Sequence, residues 1–179
     1  MLSATGTADA TTFLRGDNSW TAVAGSDNTP AFLARLSANQ SIPDATWTKM
    51  AVNTEIFDTN SAYDNSTNYR FTVPSGEAGV YVFWFATSFD GVPTGNYTST
   101  VLYVNGTFES VSPWRSRTAY DFINQLGGTS NHIHTRSAIM NLIVGDYVEL
   151  WVAHNIGSSK DAENDGTYFG GMKLAGVNE

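Results

Sequence analysis

The side chains of this chain that could do chemistry fall into three small groups. His132 and His134 are the only histidines at short spacing. Alternate residues of a strand share a face, so the two rings would stand together as imidazole ligands for a transition metal. Asp161, Glu163 and Asp165, followed by Gly166, begin like a calcium loop, with oxygen ligands at alternate positions and a turn glycine. That pattern then fails, because Met172 occupies the position where a bidentate glutamate belongs, and a solvated acidic turn is the competing reading. The third group is aromatic. If Tyr81, Phe83 and Phe85 point inward, Trp84 points out; if Val148, Leu150 and Val152 point inward, Tyr147 and Trp151 point out. Large aromatics on a surface fit a sugar ring, a partner or another chain, and the alternative is that an arm or loop covers them.

None of these groups makes an enzyme. The 179 residues include no cysteine, which removes thiolate chemistry, disulfides and cysteine-based zinc sites. There is no Gly-x-Ser-x-Gly elbow, phosphate loop or His-Glu-x-x-His helix. Asp161 and Asp165 could in principle act as paired carboxylates in glycoside hydrolysis, but such acids are common on the loops of sandwiches. A net charge of -8, with nine Lys and Arg, argues against nucleic acid and against an anionic membrane surface. No run approaches the roughly 18 apolar residues of a membrane span, and the first residues lack the basic and apolar regions of a signal peptide, so neither membrane insertion nor signal-directed export is expected.

The elements that must position these residues read as strands. Charged residues are only 15% and aromatics reach 13%, with Ser, Thr, Asn and Gly filling the balance, a mixture that suits strands and turns. From residue 31 the apolar pattern has period two, with candidate strands at Ala31 to Leu36, Thr46 to Val52, Tyr69 to Val73, Gly79 to Thr87, Thr98 to Val104, Arg136 to Val144, Tyr147 to Ala153 and Thr167 to Ala175. Turn chemistry separates them at Pro74-Ser75-Gly76, Asp90-Gly91, Asn105-Gly106, Gly145-Asp146 and Asp165-Gly166. The sequons at Asn65, Asn96 and Asn105 are read as turn chemistry too. The fold class is therefore all-β, a two-sheet antiparallel sandwich of jelly-roll type over residues 30–179, preceded by an extended arm over residues 1–29. Strand parity disfavours the metal: if Met140 and Leu142 face the core, an unbroken strand turns His132 and His134 to the same side, with Thr135, Ser137 and Ile139 opposite.

Two resemblances add to this reading. Phe71-Thr72-Val73-Pro74, Gly79-Val80-Tyr81-Val82-Phe83, Asn105-Gly106, Gly145-Asp146-Tyr147-Val148-Glu149-Leu150 and Phe169-Gly170-Gly171 occur in an order that resembles the globular head of complement component one-q and the wider tumour-necrosis-factor jelly roll. The resemblance covers roughly residues 31–175 and implies a homotrimer with both termini at one end; three His132-x-His134 pairs around its axis would then offer six imidazoles. In the family's order the strands carrying Trp84 and Trp151 are taken as neighbours, which would gather Trp84, Trp151 and Tyr147 on one outer face. Separately, Gly6-Thr7-Ala8-Asp9-Ala10-Thr11-Thr12-Phe13-Leu14-Arg15-Gly16-Asp17-Asn18-Ser19-Trp20 resembles the collar found along bacteriophage tail and head fibres. Within it, Arg15-Gly16-Asp17 reads as a tight turn rather than as an integrin motif.

Together the resemblances imply a non-enzymatic trimer on a virion surface. Phe13, Leu14 and Trp20 would anchor the arm to other virion proteins, and the head would bind a host-surface glycan or protein, with saccharide expected at Trp84, Trp151 and Tyr147. No cofactor is expected beyond the calcium or transition-metal candidates. A capsid decoration or head-fibre protein that coats or stabilises the shell is the alternative, and a secreted complement-like lectin is a third reading.

Overall fold

The structure, a computed structural model, describes residues 4–10, 12–22, 28–107 and 120–176. Of the expected arm, residues 1–3, Thr11 and residues 23–27 lie outside the described residues. Every regular element among the described residues is a strand: β1 (Thr12–Leu14), β2 (Trp20–Ala22), β3 (Ala31–Arg35), β4 (Gln40–Ile42), β5 (Thr48–Lys49), β6 (Thr54–Asp58), β7 (Tyr63–Asp64), β8 (Arg70–Thr72), β9 (Gly79–Val92), β10 (Tyr97–Val104), β11 (Tyr120–Asn124), β12 (Ser130–Leu142), β13 (Tyr147–His154), β14 (Lys160–Ala162) and β15 (Tyr168–Gly176). Among the described residues, no helix is long and apolar enough to cross a membrane.

Two antiparallel sheets face each other, as expected for the sandwich. One runs β12-β9-β15-β3-β6; the other runs β11-β10-β13-β8-β7, with β5 pairing the far end of β13. Small ladders β14-β4 and β1-β2 lie outside them. The reason is visible in β9 and β13, where apolar side chains at alternate positions point into the core. Tyr81, Phe83 and Phe85 are buried from one sheet, and Val148, Leu150 and Val152 from the other. Between the layers, Phe32 of β3 stacks on Tyr63 and Phe71 of the opposite sheet, at 4.7 and 5.2 Å between ring centroids, and meets Phe169 edge-on at 5.0 Å.

Several strands depart from expectation. Thr46 to Val52 shrinks to the two residues of β5, because the Gln40 side chain replaces a ladder partner: it donates to the Lys49 carbonyl and accepts from the Ala51 amide. β6 and β11 were not anticipated. In β6 both Ile56 and Phe57 are exposed, so its apolar residues do not alternate. β9 runs through the expected turn at Asp90-Gly91 as far as Val92, and β12 begins at Ser130, six residues before the expected start. Asn105 and Gly106, both at positive φ, make the expected tight turn after β10. In the arm, Arg15-Gly16-Asp17 leads the reversal between β1 and β2: Asp17 accepts hydrogen bonds from the amide and hydroxyl of Ser19, as the turn reading requires.

Candidate functional site

The inward alternation of β13 turns Tyr147, Glu149 and Trp151 to the outer face of the sheet containing β10 and β8. Trp151 lies against Tyr103 of β10, ring centroids 4.7 Å apart and planes within 16°. Trp47, just before β5, continues the row at 6.2 Å from Tyr103. Beneath these rings the carboxylate of Glu149 is buried and fully engaged: Oε1 lies 3.1 Å from Lys49 Nζ, and Oε2 accepts a hydrogen bond from Trp151 Nε1 at 3.1 Å. At the near end of β13 the Arg70 guanidinium sits 4.0 Å above the Tyr147 ring. Burial holds the Tyr103 phenol above its ordinary pKa, so it stays a neutral hydrogen-bonding group. The result is an aromatic shelf bordered by Lys49, Glu149 and Arg70. Rings held at fixed height beside polar groups suit a sugar, whose C–H face stacks while its hydroxyls bond at the edge.

Trp84 does not belong to this shelf, which corrects the expectation that three aromatics share one face. β9 and β13 lie in different sheets, so Trp84 and Trp151 face outward in opposite directions. The indole of Trp84 instead lies over Gly170, where a Cβ would stand 2.8 Å from Nε1 and 3.0 Å from Leu33 Cδ1. It lines an open hollow of about 420 Å³ with Leu33, Arg35, Ile56, Asp165 and Tyr168. Across the same sheet face, Ile139 and Ile133 are 61% and 60% exposed, so this side is apolar over much of its breadth.

His132 and His134 are buried on the core side of β12 with Met140 and Leu142, as parity requires. Thr98 Oγ1 lies between them, 2.8 Å from His132 Nδ1 and 2.7 Å from His134 Nε2. Nε2 of His132 is 3.1 Å from Gln125 Oε1, and Nδ1 of His134 is 3.2 Å from Asp121 Oδ2. Every ring nitrogen thus faces a protein group at close range. The acidic group does not converge. Asp161 is exposed on β14 opposite Ser41, Glu163 accepts from the Asn39 amide at 2.5 Å, and Asp165 lines the hollow beside Trp84. No group of three or more histidine, aspartate or glutamate side chains is placed to hold a metal ion among the described residues. In the arm, Phe13 and Leu14 on β1 are about half exposed, and Leu14 pairs with Trp20 of β2.

Sequence reasoning missed Trp47, Tyr103, Lys49 and Arg70, and it gave no role to Glu149, which the alternation of β13 turns outward with Tyr147 and Trp151. A signal existed for Tyr103: with Leu102 inward in β10, alternation leaves its neighbour outward. Nothing local marks Trp47 or Lys49, because their place depends on β5 joining the far end of β13.

No protein-family model and no curated protein matches the chain. Solved structures match its fold. The globular domain of zebrafish complement 1qA is 19% identical, with a TM-score of 0.56 over 83% of this chain and 100% of that one. Eiger TNF from S. frugiperda is 15% identical, with a TM-score of 0.53 over 83% and 93%. Murine APRIL at pH 5.0 is 13% identical, with a TM-score of 0.53 over 80% and 98%. At these identities the likeness is one of fold: the sandwich is a jelly roll of the complement one-q and tumour-necrosis-factor kind.

Proposed function

We propose that this chain is the head of a trimeric virion-surface fibre that adsorbs to a host-surface saccharide without transforming it. Residues 1–29 serve as the attachment arm, through Phe13, Leu14 and Trp20. Three sandwiches associate through the five-stranded sheet, and the opposite sheet faces outward with the shelf of Trp47, Tyr103 and Trp151. The observation that carries the reading is the Tyr103–Trp151 stack, 4.7 Å between centroids, held by a buried Glu149 that bonds both Trp151 and Lys49. A preorganised aromatic pair of this kind contributes to a saccharide contact without first being ordered. The trimer is supported by the apolar outer face around Leu33, Trp84 and Ile139, which a second copy would cover. Single contacts of this size are weak, so adsorption rests on three shelves per head and many heads per particle.

The test is competition. Saturating amounts of the purified chain, added to host cells before the particle, block adsorption, and glycan capture by the free protein identifies the sugar. Undiminished adsorption under these conditions overturns the reading and leaves the shell-decoration alternative, which predicts docking through residues 1–29 and no host binding.

A further inference from the structure

Arg70 stands between two carboxylates and bonds to neither. On the outer face of its sheet it is the cross-strand neighbour of Glu149 on β13 and of Asp64 on β7, the positions where an ion pair would ordinarily form. Both acids are committed elsewhere. Glu149 gives one oxygen to Lys49 and the other to the Trp151 indole, while Asp64 accepts the amides of Ser66, Thr67 and Asn68 together with the Asn68 side chain. The guanidinium leans diagonally instead, onto the Tyr147 ring at 4.0 Å, and among the described residues it has no hydrogen bond or ion pair.

That contact fixes the group without using it. The ring attracts the charge and restrains a long side chain, yet supplies none of the oxygen acceptors that five N–H donors can engage. Position ties these donors to the shelf. β10, β13 and β8 are successive strands, and Tyr103, Glu149 and Arg70 form one row across them. Two strand spacings, about 10 Å, separate Tyr103 from Arg70 along that row. A sugar ring seated on Tyr103 and Trp151 therefore leaves its linked neighbour within reach of the guanidinium.

Given the saccharide reading of the shelf, on which this step rests, we propose that Arg70 makes the site selective for an acidic saccharide, one that carries a carboxylate on the ring next to the one seated on Tyr103 and Trp151. A planar carboxylate matches the guanidinium fork and forms two parallel N–H···O bonds, and no protein acceptor has to be displaced first. Lys49 does not share this role, because its ammonium lies 3.1 Å from Glu149 and balances that charge. The charges of Lys49, Arg70, Glu149 and Asp64 cancel in number, and the chain carries -8 overall, so nothing draws an anion in from a distance. Charges beyond about 8 Å are largely screened at physiological ionic strength, and selection arises at contact. Its scale is that of a charge-assisted pair at a half-buried side chain, about tenfold in affinity.

Oligosaccharides of galacturonic, glucuronic and mannuronic acid, each beside the same chain with its carboxyls reduced to primary alcohols, separate this step from the reading beneath it. Reduction removes the anion and keeps the ring face that stacks. At least one acidic oligosaccharide is expected to bind the full chain about tenfold more tightly than its reduced partner. Arg70→Met keeps an apolar stem on Tyr147 without the N–H donors, and is expected to abolish the difference while the reduced form binds as before. Arg70→Lys, a charge without the fork, is expected to keep only part of the difference, and Trp151→Ala to weaken both forms alike. Equal binding of acidic and reduced forms, with Trp151 still required, overturns the acidic preference and leaves the saccharide reading standing. A preference that survives Arg70→Met overturns the role of Arg70. If no form binds, the acidic preference falls as well, and the adsorption competition then decides the saccharide reading.

Discussion

Gly171 of β15 stands directly against the ring of Phe83 on β9: a Cβ at this position would lie 2.5 Å from Cδ1 and 3.0 Å from the Val82 carbonyl oxygen. Phe83 is fully buried and packs against Phe32, Phe71 and Phe169, so it has no free volume into which to retreat. Gly171→Ala is therefore expected to destabilise the sandwich by about 3 kcal/mol, the upper end for overpacking, although alanine is elsewhere favoured over glycine through the unfolded chain. Denaturant midpoints of the two proteins check this.

On the proposed trimeric, glycan-binding reading, Trp84 and Trp151 should separate assembly from recognition. Trp84→Ala opens the apolar face over Gly170 and is expected to shift the trimer towards monomer, as read by sedimentation, with glycan contact per chain retained. Trp151→Ala removes half of the Tyr103 stack, worth about 1–1.5 kcal/mol at one site, or about tenfold in affinity. Multiplied over three copies, the loss in retention on immobilised glycan should far exceed tenfold, with assembly unchanged.

Why these two tryptophans look alike in the sequence and differ in the fold explains what was legible. Alternation in β9 and β13 identifies which residues point outward, because burial of one face is a local property of a strand. Which strands become neighbours is decided by long-range pairing, and no local pattern records that β9 joins β12 and β15 while β13 joins β10 and β8. β11 escaped notice for a related reason. Its inward Asp121 faces His134 rather than an apolar core, so a polar residue occupies the position where alternation looks for a hydrophobe. The histidine pair was legible in direction, from Met140 and Leu142 three and four two-residue repeats beyond His134, but not in its partners.

An acid response is expected at the turn that Asp64 holds. Asp64 accepts the amides of Ser66 and Thr67 on one oxygen and those of Asn68, backbone and side chain, on the other, which holds its carboxyl well below the usual carboxylate range. A carboxylate depressed in the fold contributes stability that is present above its unfolded value near 4 and is lost as pH falls below it. Asp64→Ala is expected to cost about 1–2 kcal/mol at pH 7 by leaving these turn amides to solvent. Measured by urea unfolding, the gap between the two proteins should narrow by pH 2.5.

Glu149 and Lys49 provide the last test, because the shelf depends on a charge that is costly to bury alone. The Glu149 side chain is 6% exposed and that of Lys49 29%, so the pair is neither a surface bridge nor a fully dry one. Lys49→Met leaves the carboxylate with only Trp151 Nε1 and is expected to destabilise by about 2 kcal/mol, less than a fully enclosed pair would lose because one edge reaches water. Glu149→Gln, which can still accept from Trp151, should cost less. The double variant should be more stable than the sum of the two losses predicts, since neither partner is then left charged and alone, and a double-mutant cycle measures that recovery directly. Additive losses would mean that Lys49 does not neutralise Glu149, and that the Trp151 indole is held by packing on Tyr103 alone.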